Sequence, residues 1–469
     1  MIKLFKREWK RLVKILCRAI ILIWVVIFPI FELYSHNISE LRFIETVPLL
    51  IVYLIIFLGF FLFIYKKISF EKIIYIFFLF NIFSLIYGNI TIFLEKYLGQ
   101  IEFYRDIQFI PLVFILVYFL SKKLNRKVFG FVKLFLIITF IFSVFGIIKS
   151  ISFNRNRVTN SESEIITRVD NQGLPDIYYY ISDEFASSDT ILNSYGYDDT
   201  EFRSNLENLG FKIYTGSSSA FSSTWPNLSS IFNLTKVDTD IPTKELYDSI
   251  LNSRVSNQLK SYGYKYIFIS DQKLYYGSDK NPYADYSFYD FVNNNKNFVK
   301  NKSRINKFTE IFIKSSVFRP LVTSETNNIY RENEILKHVM LKEVVNNYNS
   351  PKFVFIHSVI SHEPFLFDEN GGMVDYSNQN NWVDRNIYLG SYIYSEKTIL
   401  EDVQAIIAAD KNSIIVVQSD HGPRYKELGN EWKKIFNAIY VSPDYAGNFP
   451  TENFQNINTF KYILDTIGI

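Results

Sequence analysis

Long apolar runs fill the first third of the chain and alternate with short polar segments. The runs cover residues 19–31, 46–65, 73–93, 107–120 and 129–148. A helix needs about 20 mostly apolar residues to cross a bilayer, and most of the runs approach that length. The run at 107–120 is short and is also compatible with a re-entrant segment. We therefore expect about five transmembrane helices in a domain of residues 1–150.

The pattern changes after residue 150. Residues 151–173 are mostly polar, which is typical of a linker, and residues 275–307 show no period and are expected to form a surface excursion. Short β-branched or aromatic runs predict strands at 177–181, 264–270, 353–359 and 413–418. Helical spacing of apolar residues occurs at 200–209, 328–348 and 392–409. This alternation predicts an α/β domain over residues 174–469, with a mainly parallel sheet flanked by helices.

The charges of the short loops predict how the helices are oriented. Lys and Arg are in excess in the first 14 residues and near residues 66–72 and 122–127, whereas the loops near 40–45 and 95–106 carry mixed charge. Loops rich in Lys and Arg face the cytoplasm. Five crossings would then place residues 174–469 on the extracytoplasmic side, and loss of the crossing at 107–120 would reverse this.

The composition excludes some kinds of site. Of the 469 residues, 48% are hydrophobic and 18% aromatic, and the net charge of +3 gives no argument for nucleic acid as a partner. The chain has one cysteine, Cys17, in the first apolar segment. An intrachain disulfide is therefore impossible, and a cysteine-based metal site or a catalytic thiol is disfavoured.

Acidic and imidazole side chains follow two of the predicted strands. Asp183 and Glu184 come after the strand at 177–181, and Asp420 and His421 come after the strand at 413–418. Ligands bind at the carboxyl ends of strands in an open α/β sheet. A carboxylate beside an imidazole suits Zn or Mn. The alternatives are solvated carboxylates and an ordinary turn that binds nothing.

A hydroxyl-rich loop leads into a predicted helix that begins near Pro226. Thr224 lies at the N-terminus of this helix. It either caps the helix or, beside a metal, is activated as a nucleophile where the helix end stabilises a bound anion.

Three further side chains are candidates for the same site. His362, in the loop after the strand at 353–359, could donate to a phosphoryl oxygen or to a leaving group. His357 lies inside that strand, where a hydrogen-bonded core histidine is the favoured interpretation. Arg424 is either an oxyanion clamp or a solvated surface residue.

The order of these motifs resembles the sulfatase-like branch of the alkaline phosphatase superfamily. The motifs are Asp183 after an early strand, Thr224 before a Pro-containing helix start, His362-Glu-Pro-Phe365, and Ser419-Asp-His-Gly422. With its amino-terminal apolar runs, the chain is similar to the lipoteichoic acid synthases and the phosphoethanolamine transferases. The resemblance implies a catalytic domain of the alkaline-phosphatase/sulfatase fold at residues 174–469.

By position, the resemblance also implies roles for individual residues. The ligands of one divalent metal ion would be Asp183, Thr224, Asp420 and His421, and the metal would be Zn or Mn, with Mg also compatible. Thr224 would also be the nucleophile, and His362 would bind substrate. Apart from the resemblance, we expect Arg424 to bind substrate as well, and Glu184 and His357 to lie next to the ligands. Formylglycine sulfatases need Cys or Ser followed by x-Pro-x-Arg, which Thr224-Trp-Pro-Asn-Leu228 lacks. Lipoteichoic acid synthases usually carry Glu where Asp183 stands, which leaves the metal preference open.

The implied function is a membrane-anchored, metal-dependent phosphotransferase of a bacterial cytoplasmic membrane. It would move a phospho-substituent from a phospholipid donor to a surface glycan or lipid through a phospho-threonine intermediate. Two alternatives are a membrane-bound phosphoester or sulfoester hydrolase and a non-catalytic envelope protein. A transporter is disfavoured because the apolar runs hold few charges.

Overall fold

The computed structural model describes most of the chain and divides it into two compact units. The described residues are 2–36, 46–98, 103–155, 173–238, 240–241, 243–271, 280–295, 307–316, 318, 323–374, 384–446, 449–450 and 452–469. The first unit comprises residues 1–162, 275–277 and 304–324, and the second comprises 163–274, 278–303 and 325–469. Residues 156–172 of the predicted linker, and residues 275–279 and 296–306 of the predicted excursion, lie outside the described residues.

The first unit contains apolar helices over all five predicted runs. They are α1 (Ile2–His36), α2 (Val47–Ile64), α3 (Phe70–Leu98), α4 (Phe103–Ser121) and α5 (Arg126–Arg155). Four segments within the described residues are long and apolar enough to cross a membrane, namely Arg7–Ser35, Val47–Ile64, Phe70–Tyr87 and Arg126–Phe145. The helix over the shortest predicted run, α4, is not among these four.

A chain of polar side chains crosses the interior of this unit. Pro29 lies inside α1 and has no N–H, so the carbonyl of Val25, four residues earlier, loses its helical partner. Asn81 of α3 donates its Nδ2 to that carbonyl at 2.6 Å and accepts from the Tyr53 hydroxyl at 2.9 Å. Asn81 therefore supplies the hydrogen bond that proline removes, in an apolar interior that offers the carbonyl no water.

The first unit also contains a helix from much later in the sequence. Helix α12 (Lys307–Lys314) contributes Phe308 and Phe312, which are buried in the same apolar cluster as α1, α2 and α3. The rings of Phe312 and Tyr53 meet edge to face with centroids 5.5 Å apart. The hydrophobic pattern did not predict this helix.

The second unit is built on a seven-stranded sheet. The strands are β1 (Asp176–Ser182), β2 (Lys212–Ile213), β3 (Lys265–Ile269), β4 (Tyr286–Ser287), β5 (Lys352–Ser358), β6 (Ser413–Gln418) and β7 (Asn437–Val441), in the order β2-β7-β6-β1-β5-β3-β4. Strands β1, β3, β4, β5 and β6 run parallel, and β7 is antiparallel to β6 and to β2. The four predicted strands correspond to β1, β3, β5 and β6.

Helices cover the sheet, so its central strands are buried on both faces. The helices are α6 (Ser188–Tyr195), α7 (Thr200–Asn208), α8 (Thr224–Asn233), α9 (Thr243–Leu251), α10 (Arg254–Ser261), α11 (Phe288–Asn294), α13 (Thr323–Asn347), α14 (Arg385–Ala409) and α15 (Thr459–Ile467). Every residue of β1, β5 and β6 is buried, which explains why these strands appear in the sequence as near-continuous apolar runs. The apolar helices and the α/β domain with a mainly parallel sheet confirm the predicted fold class.

Candidate active site

Three of the predicted metal-binding side chains meet at the carboxyl ends of two neighbouring strands. Asp183 directly follows β1, and Asp420 and His421 follow β6, its parallel partner. All three are buried, and one donor atom of each lies within 4.8 Å of the others. Strand pairing therefore brings together groups that are more than 230 positions apart in the sequence.

The spacing of the donor atoms suits a metal ion. His421 Nε2 lies 3.4 Å from Asp420 Oδ2 and 3.8 Å from Asp183 Oδ1. Thr224 Oγ1 lies 3.3 Å from Asp183 Oδ2 and 3.5 Å from His421 Nε2. Ligand atoms of a tetrahedral zinc site with bonds of about 2.0–2.1 Å are separated by about 3.3–3.4 Å. The separations observed here are equal to that value or slightly longer.

The hydrogen bonds of the cluster also leave metal-binding atoms available. Asp420 Oδ2 is buried and has no hydrogen-bond partner among the described residues. His421 Nδ1 lies 2.9 Å from the carbonyl of Gly422, so Nδ1 donates and Nε2 keeps its lone pair toward the carboxylates. A divalent cation would satisfy both atoms, and these residues therefore fit the metal that the family resemblance implies.

Thr224 is the first residue of α8 and does not act as its N-cap. The N-cap residue is Ser223, whose side chain makes no capping hydrogen bond. The Thr224 hydroxyl instead donates to Asp183. Its contacts therefore differ from the capping role that the sequence left open.

Polar residues that sequence analysis did not single out hold the backbone of Asp420. Asn456 Nδ2 donates to the carbonyl of Asp420 at 2.8 Å, and Ser219 Oγ lies 2.8 Å from the same oxygen. Asn227 of α8 bonds through its Nδ2 to the carbonyl of Phe221, which ties the Thr224 loop to its helix. These residues lie in Ser- and Asn-rich loops, where the sequence has many equivalent candidates.

Gly422 allows another loop to approach His421 closely. A Cβ at this position would lie 2.7 Å from the carbonyl oxygens of both Glu431 and Lys434. Its amide donates to the carbonyl of Trp432 at 2.8 Å. The glycine of the Ser-Asp-His-Gly motif is thus explained by backbone packing directly behind the imidazole.

The two carboxyl groups of the cluster respond to their surroundings in opposite directions. Burial would raise the pKa of Asp183, but the imidazoles of His362, His357 and His421 hold it well below its usual range. Burial and the charge of Asp183 raise the pKa of Asp420. His357, although it lies within β5 as predicted, is more than a core residue, because its Nε2 is 3.2 Å from Asp183 Oδ2.

Glu184, His362 and Arg424 form a second group beside the cluster. Glu184 is fully buried, its backbone is left-handed with φ 55°, and its Oε1 accepts from Arg424 Nε. Arg424 Nη2 lies 3.1 Å from His362 Nε2. Burial lowers the pKa of His362, but the carboxylates of Asp183 and Glu184 raise it to about 9. Since Asp183 and Glu184 are both buried, the interpretation as solvated carboxylates is wrong.

Comparisons with known proteins place the second unit in a family. The sulfatase family model matches residues 175–457. No curated protein matches the sequence.

Several solved structures are similar to the chain at low identity. Phosphoethanolamine transferase A (EptA) from Neisseria meningitidis shares 11% identity at a TM-score of 0.43, over 96% of this chain and 95% of that chain. The C-terminal periplasmic domain of EcEptC from Escherichia coli shares 14% identity at a TM-score of 0.43, over 64% and 84%. The lipoteichoic acid synthase LtaP from Listeria monocytogenes shares 12% identity at a TM-score of 0.37, over 64% and 73%.

The TM-scores of these three structures are below 0.5, so the family assignment depends on the sequence match. That match covers more than half of the chain and includes Asp183, Thr224, His362, Asp420 and His421. It confirms the predicted resemblance to the sulfatase-like branch. The chain belongs to the sulfatase family.

Proposed function

We propose that this protein is a membrane-anchored, metal-dependent phosphotransferase that forms a phospho-threonine intermediate at Thr224. The observation that carries the proposal is the position of the Thr224 hydroxyl, 3.3 Å from Asp183 Oδ2 and 3.5 Å from His421 Nε2, at the first residue of α8. A hydroxyl at a helix N-terminus beside metal-binding side chains has the surroundings of an activated nucleophile.

Asp183, Thr224, Asp420 and His421 would hold one divalent cation. Their mixture of carboxylate, imidazole and hydroxyl donors favours zinc or manganese and is compatible with magnesium. When bound, such a cation shields the charge of phosphoryl oxygens and lowers the pKa of a hydroxyl that it contacts. Two carboxyl groups in a buried site also need a counter-charge, because burial disfavours their ionised forms.

The reaction would proceed in two displacements. In the first, Thr224 Oγ1 loses its proton and forms a bond to phosphorus, while the bond to the lipid alcohol, diacylglycerol or similar, breaks. In the second, the oxygen of an acceptor hydroxyl forms a bond to phosphorus, the bond between Thr224 Oγ1 and phosphorus breaks, and the proton that the acceptor releases restores the Thr224 hydroxyl. Arg424 and His362 would bind the phosphoryl oxygens, and His362 would pass a proton to the leaving alcohol in exchange for the one that Thr224 loses.

The donor and the location follow from the apolar helices. Attachment to a membrane keeps the site near lipid head groups, which favours a phospholipid donor and a surface glycan acceptor. Lys and Arg are in excess in the N-terminal segment and in the alternate loops that would share its side, which supports an orientation with residues 174–469 outside the cytoplasm. The membrane would be a bacterial cytoplasmic membrane. We propose residues 1–150 as the membrane domain and 151–173 as the linker, whose first five residues continue α5.

The first test is the covalent intermediate. Full-length protein in detergent, supplied with manganese or zinc and phosphatidylglycerol or phosphatidylethanolamine, should gain the mass of a phospho-substituent on Thr224. Thr224→Ala should lose this mass shift and decrease turnover on the order of 10³-fold or more. Ser223→Ala, which removes the neighbouring hydroxyl, is the matched control and should remain active. Full turnover by Thr224→Ala would reject the nucleophile assignment.

A second test separates transfer from hydrolysis. With labelled phospholipid, a glycan acceptor should become labelled faster than water releases the free head-group phosphate. Release to water at the same rate with and without acceptor would identify a hydrolase. A purified protein that binds no divalent metal and modifies no lipid would instead support the non-catalytic alternative.

A further inference from the structure

A buried ion pair lies behind the segment that carries part of the candidate site. Glu334 and Lys337, one turn apart on α13, form a salt bridge and are 2% and 1% exposed. Replacing a buried ion pair by apolar residues of similar volume is often neutral or stabilising. Stability alone therefore does not account for two charges at this position, and their other contacts indicate a positional role.

The pair is hydrogen-bonded to three consecutive residues at the carboxyl end of β5. Lys337 Nζ donates to the carbonyl of His357 at 2.8 Å. Glu334 Oε2 accepts from the amide of Val359 at 3.0 Å and from the hydroxyl of Ser358 at 3.3 Å. One carboxylate and one ammonium group thus fix the backbone where β5 ends.

The same segment holds Asp183 by its side chain and by both backbone groups. His357 Nε2 lies 3.2 Å from Asp183 Oδ2, and the carbonyl of Ser358 accepts from the amide of Asp183 at 2.9 Å. Ser361 Oγ donates to the carbonyl of Asp183 at 2.6 Å. Residues 357–361 therefore connect the buried ion pair to a metal-binding carboxylate.

We propose that Glu334 and Lys337 are positioning residues that set the Asp183 carboxylate at the separation the metal ion requires. The inference rests on the metal site of the proposed function. Loss of either charge would leave the other buried without its partner and would remove a hydrogen bond from the end of β5. The displacement would reach Asp183 through His357 and Ser358.

The experiment compares two buried ion pairs. Glu334–Lys337 contacts the carboxyl end of β5, and Lys352–Asp176 lies at the opposite end of that strand. Lys337→Met and Glu334→Gln break the pair at the carboxyl end. The matched control, Lys352→Met, breaks the buried pair of Lys352 with Asp176, where β5 and β1 begin. Each full-length variant is measured in three ways. The first two are the dissociation constants for manganese and zinc and the melting temperature. The third is amide hydrogen exchange of the metal-free protein over residues 180–186 and 356–362.

Lys337→Met and Glu334→Gln should weaken metal binding by about 10–100-fold, as loss of groups that orient metal ligands commonly does. They should also accelerate exchange at residues 356–362 and 180–186 in metal-free protein. Lys352→Met should lower the melting temperature while its metal affinity stays within about twofold of wild type. Equal metal affinity and equal exchange in all three variants would overturn the proposal.

A double variant distinguishes a loss of positioning from a loss of the folded state. Glu334→Leu with Lys337→Met removes both charges and should recover stability. Weak metal binding in this folded protein supports positioning, whereas wild-type affinity refutes it. The exchange measurement needs neither metal nor substrate, so it tests the coupling of the ion pair to Asp183 independently of the proposed reaction, and a wild type that binds no metal would overturn the proposal. A wild type that binds metal but never forms phospho-threonine would defeat the proposed function and leave this inference intact.

Discussion

Burial raises the pKa of Asp183, but the imidazoles of His362, His357 and His421 together outweigh it. His357 and His421 lie 3.2 and 3.8 Å from its carboxylate oxygens, and the pKa of Asp183 is well below its usual range. Asp420 has one oxygen without a hydrogen-bond partner among the described residues, and its pKa is raised by burial. A divalent cation would favour the ionised form of both groups, so metal and protons would compete at Asp420.

Another buried carboxyl group leads to a prediction about stability and pH. Glu396 of α14 accepts from the Tyr197 hydroxyl at 2.7 Å, while its Oε1 has no hydrogen-bond partner among the described residues. Burial, together with the charges of Asp199 and Glu201, raises its pKa to about 8. The folded protein therefore binds this proton more tightly than the unfolded chain does, and stability should fall as the pH rises from about 4.5 to about 8.

Glu396→Gln should remove this loss of stability, because the amide keeps the contact with Tyr197 and cannot ionise. Above about pH 8 the variant should be more stable than wild type by a few kcal/mol, since each pKa unit corresponds to about 1.4 kcal/mol. At about pH 4.5 the two proteins should differ little. Denaturant unfolding at pH 5 and pH 9 measures the difference, and parallel pH profiles for the two proteins would contradict the prediction.

At the scale of elements, side chains of one element satisfy backbone groups that a neighbouring helix or strand leaves unpaired. Pro29 removes one hydrogen bond of α1, and Asn81 of α3 replaces it. At the carboxyl end of β5, side chains of α13 satisfy the carbonyl of His357 and the amide of Val359. In both places one element supplies polar groups that a neighbouring element requires, which links their positions.

Asn81→Leu should destabilise the helices of the first unit by on the order of 1 kcal/mol, because the Val25 carbonyl and the Tyr53 hydroxyl lose their partner. Thermal unfolding in detergent measures the effect. Ser84→Ala on the same helix is the matched control, since the Ser84 hydroxyl has no partner among the described residues. Equal melting temperatures for Asn81→Leu and Ser84→Ala would show that the hydrogen bonds contribute nothing.

A second substitution tests the link to proline. Pro29→Ala restores an N–H four residues after Val25 and should reduce the effect of Asn81→Leu. A double-mutant cycle over these two positions isolates their coupling. Additive effects would mean that Asn81 acts independently of the missing helical bond.

At the scale of the whole molecule, the number of crossings decides where the α/β unit lies. Five apolar helices precede it, and four described segments have the length and hydropathy of a membrane crossing. An odd number of crossings puts the unit on the side opposite the N-terminus, and an even number puts it on the same side. The Lys- and Arg-rich loops alternate as five crossings require.

Cysteine labelling of intact bacteria or spheroplasts distinguishes these arrangements. In a Cys17→Ser background, Glu207→Cys on the exposed side of α7 should react with a membrane-impermeant maleimide. A cysteine in place of Lys123, in the predicted cytoplasmic loop after α4, should react only after the membrane is broken. Labelling of Glu207→Cys only after the membrane is broken would mean that α4 does not cross the membrane.

The hydrophobic pattern by itself determined the apolar helices and the strands β1, β3, β5 and β6, because strands covered on both faces need continuous apolar runs. It did not predict β7, which is as long as β3. The order of motifs at strand ends also determined which residues could share a site, since neighbouring parallel strands end at one edge of the sheet. Asp183, Asp420 and His421 were found in this way.

Only the tertiary structure decided features that depend on a neighbour distant in sequence. β2 and β4 contain two residues each and form by pairing with longer strands, so they leave no local periodicity. The charges of Glu334 and Lys337 would suit a solvated helix face, and their burial depends on β5 covering them. The sequence around Thr224 is likewise compatible with two roles, a helix cap and a hydroxyl that contacts Asp183, and does not distinguish them. Burial and hydrogen-bond partners are properties of the packed chain. Local sequence predicts burial only where apolar residues recur with the period of a helix or a strand, and it does not predict partners that are distant in sequence.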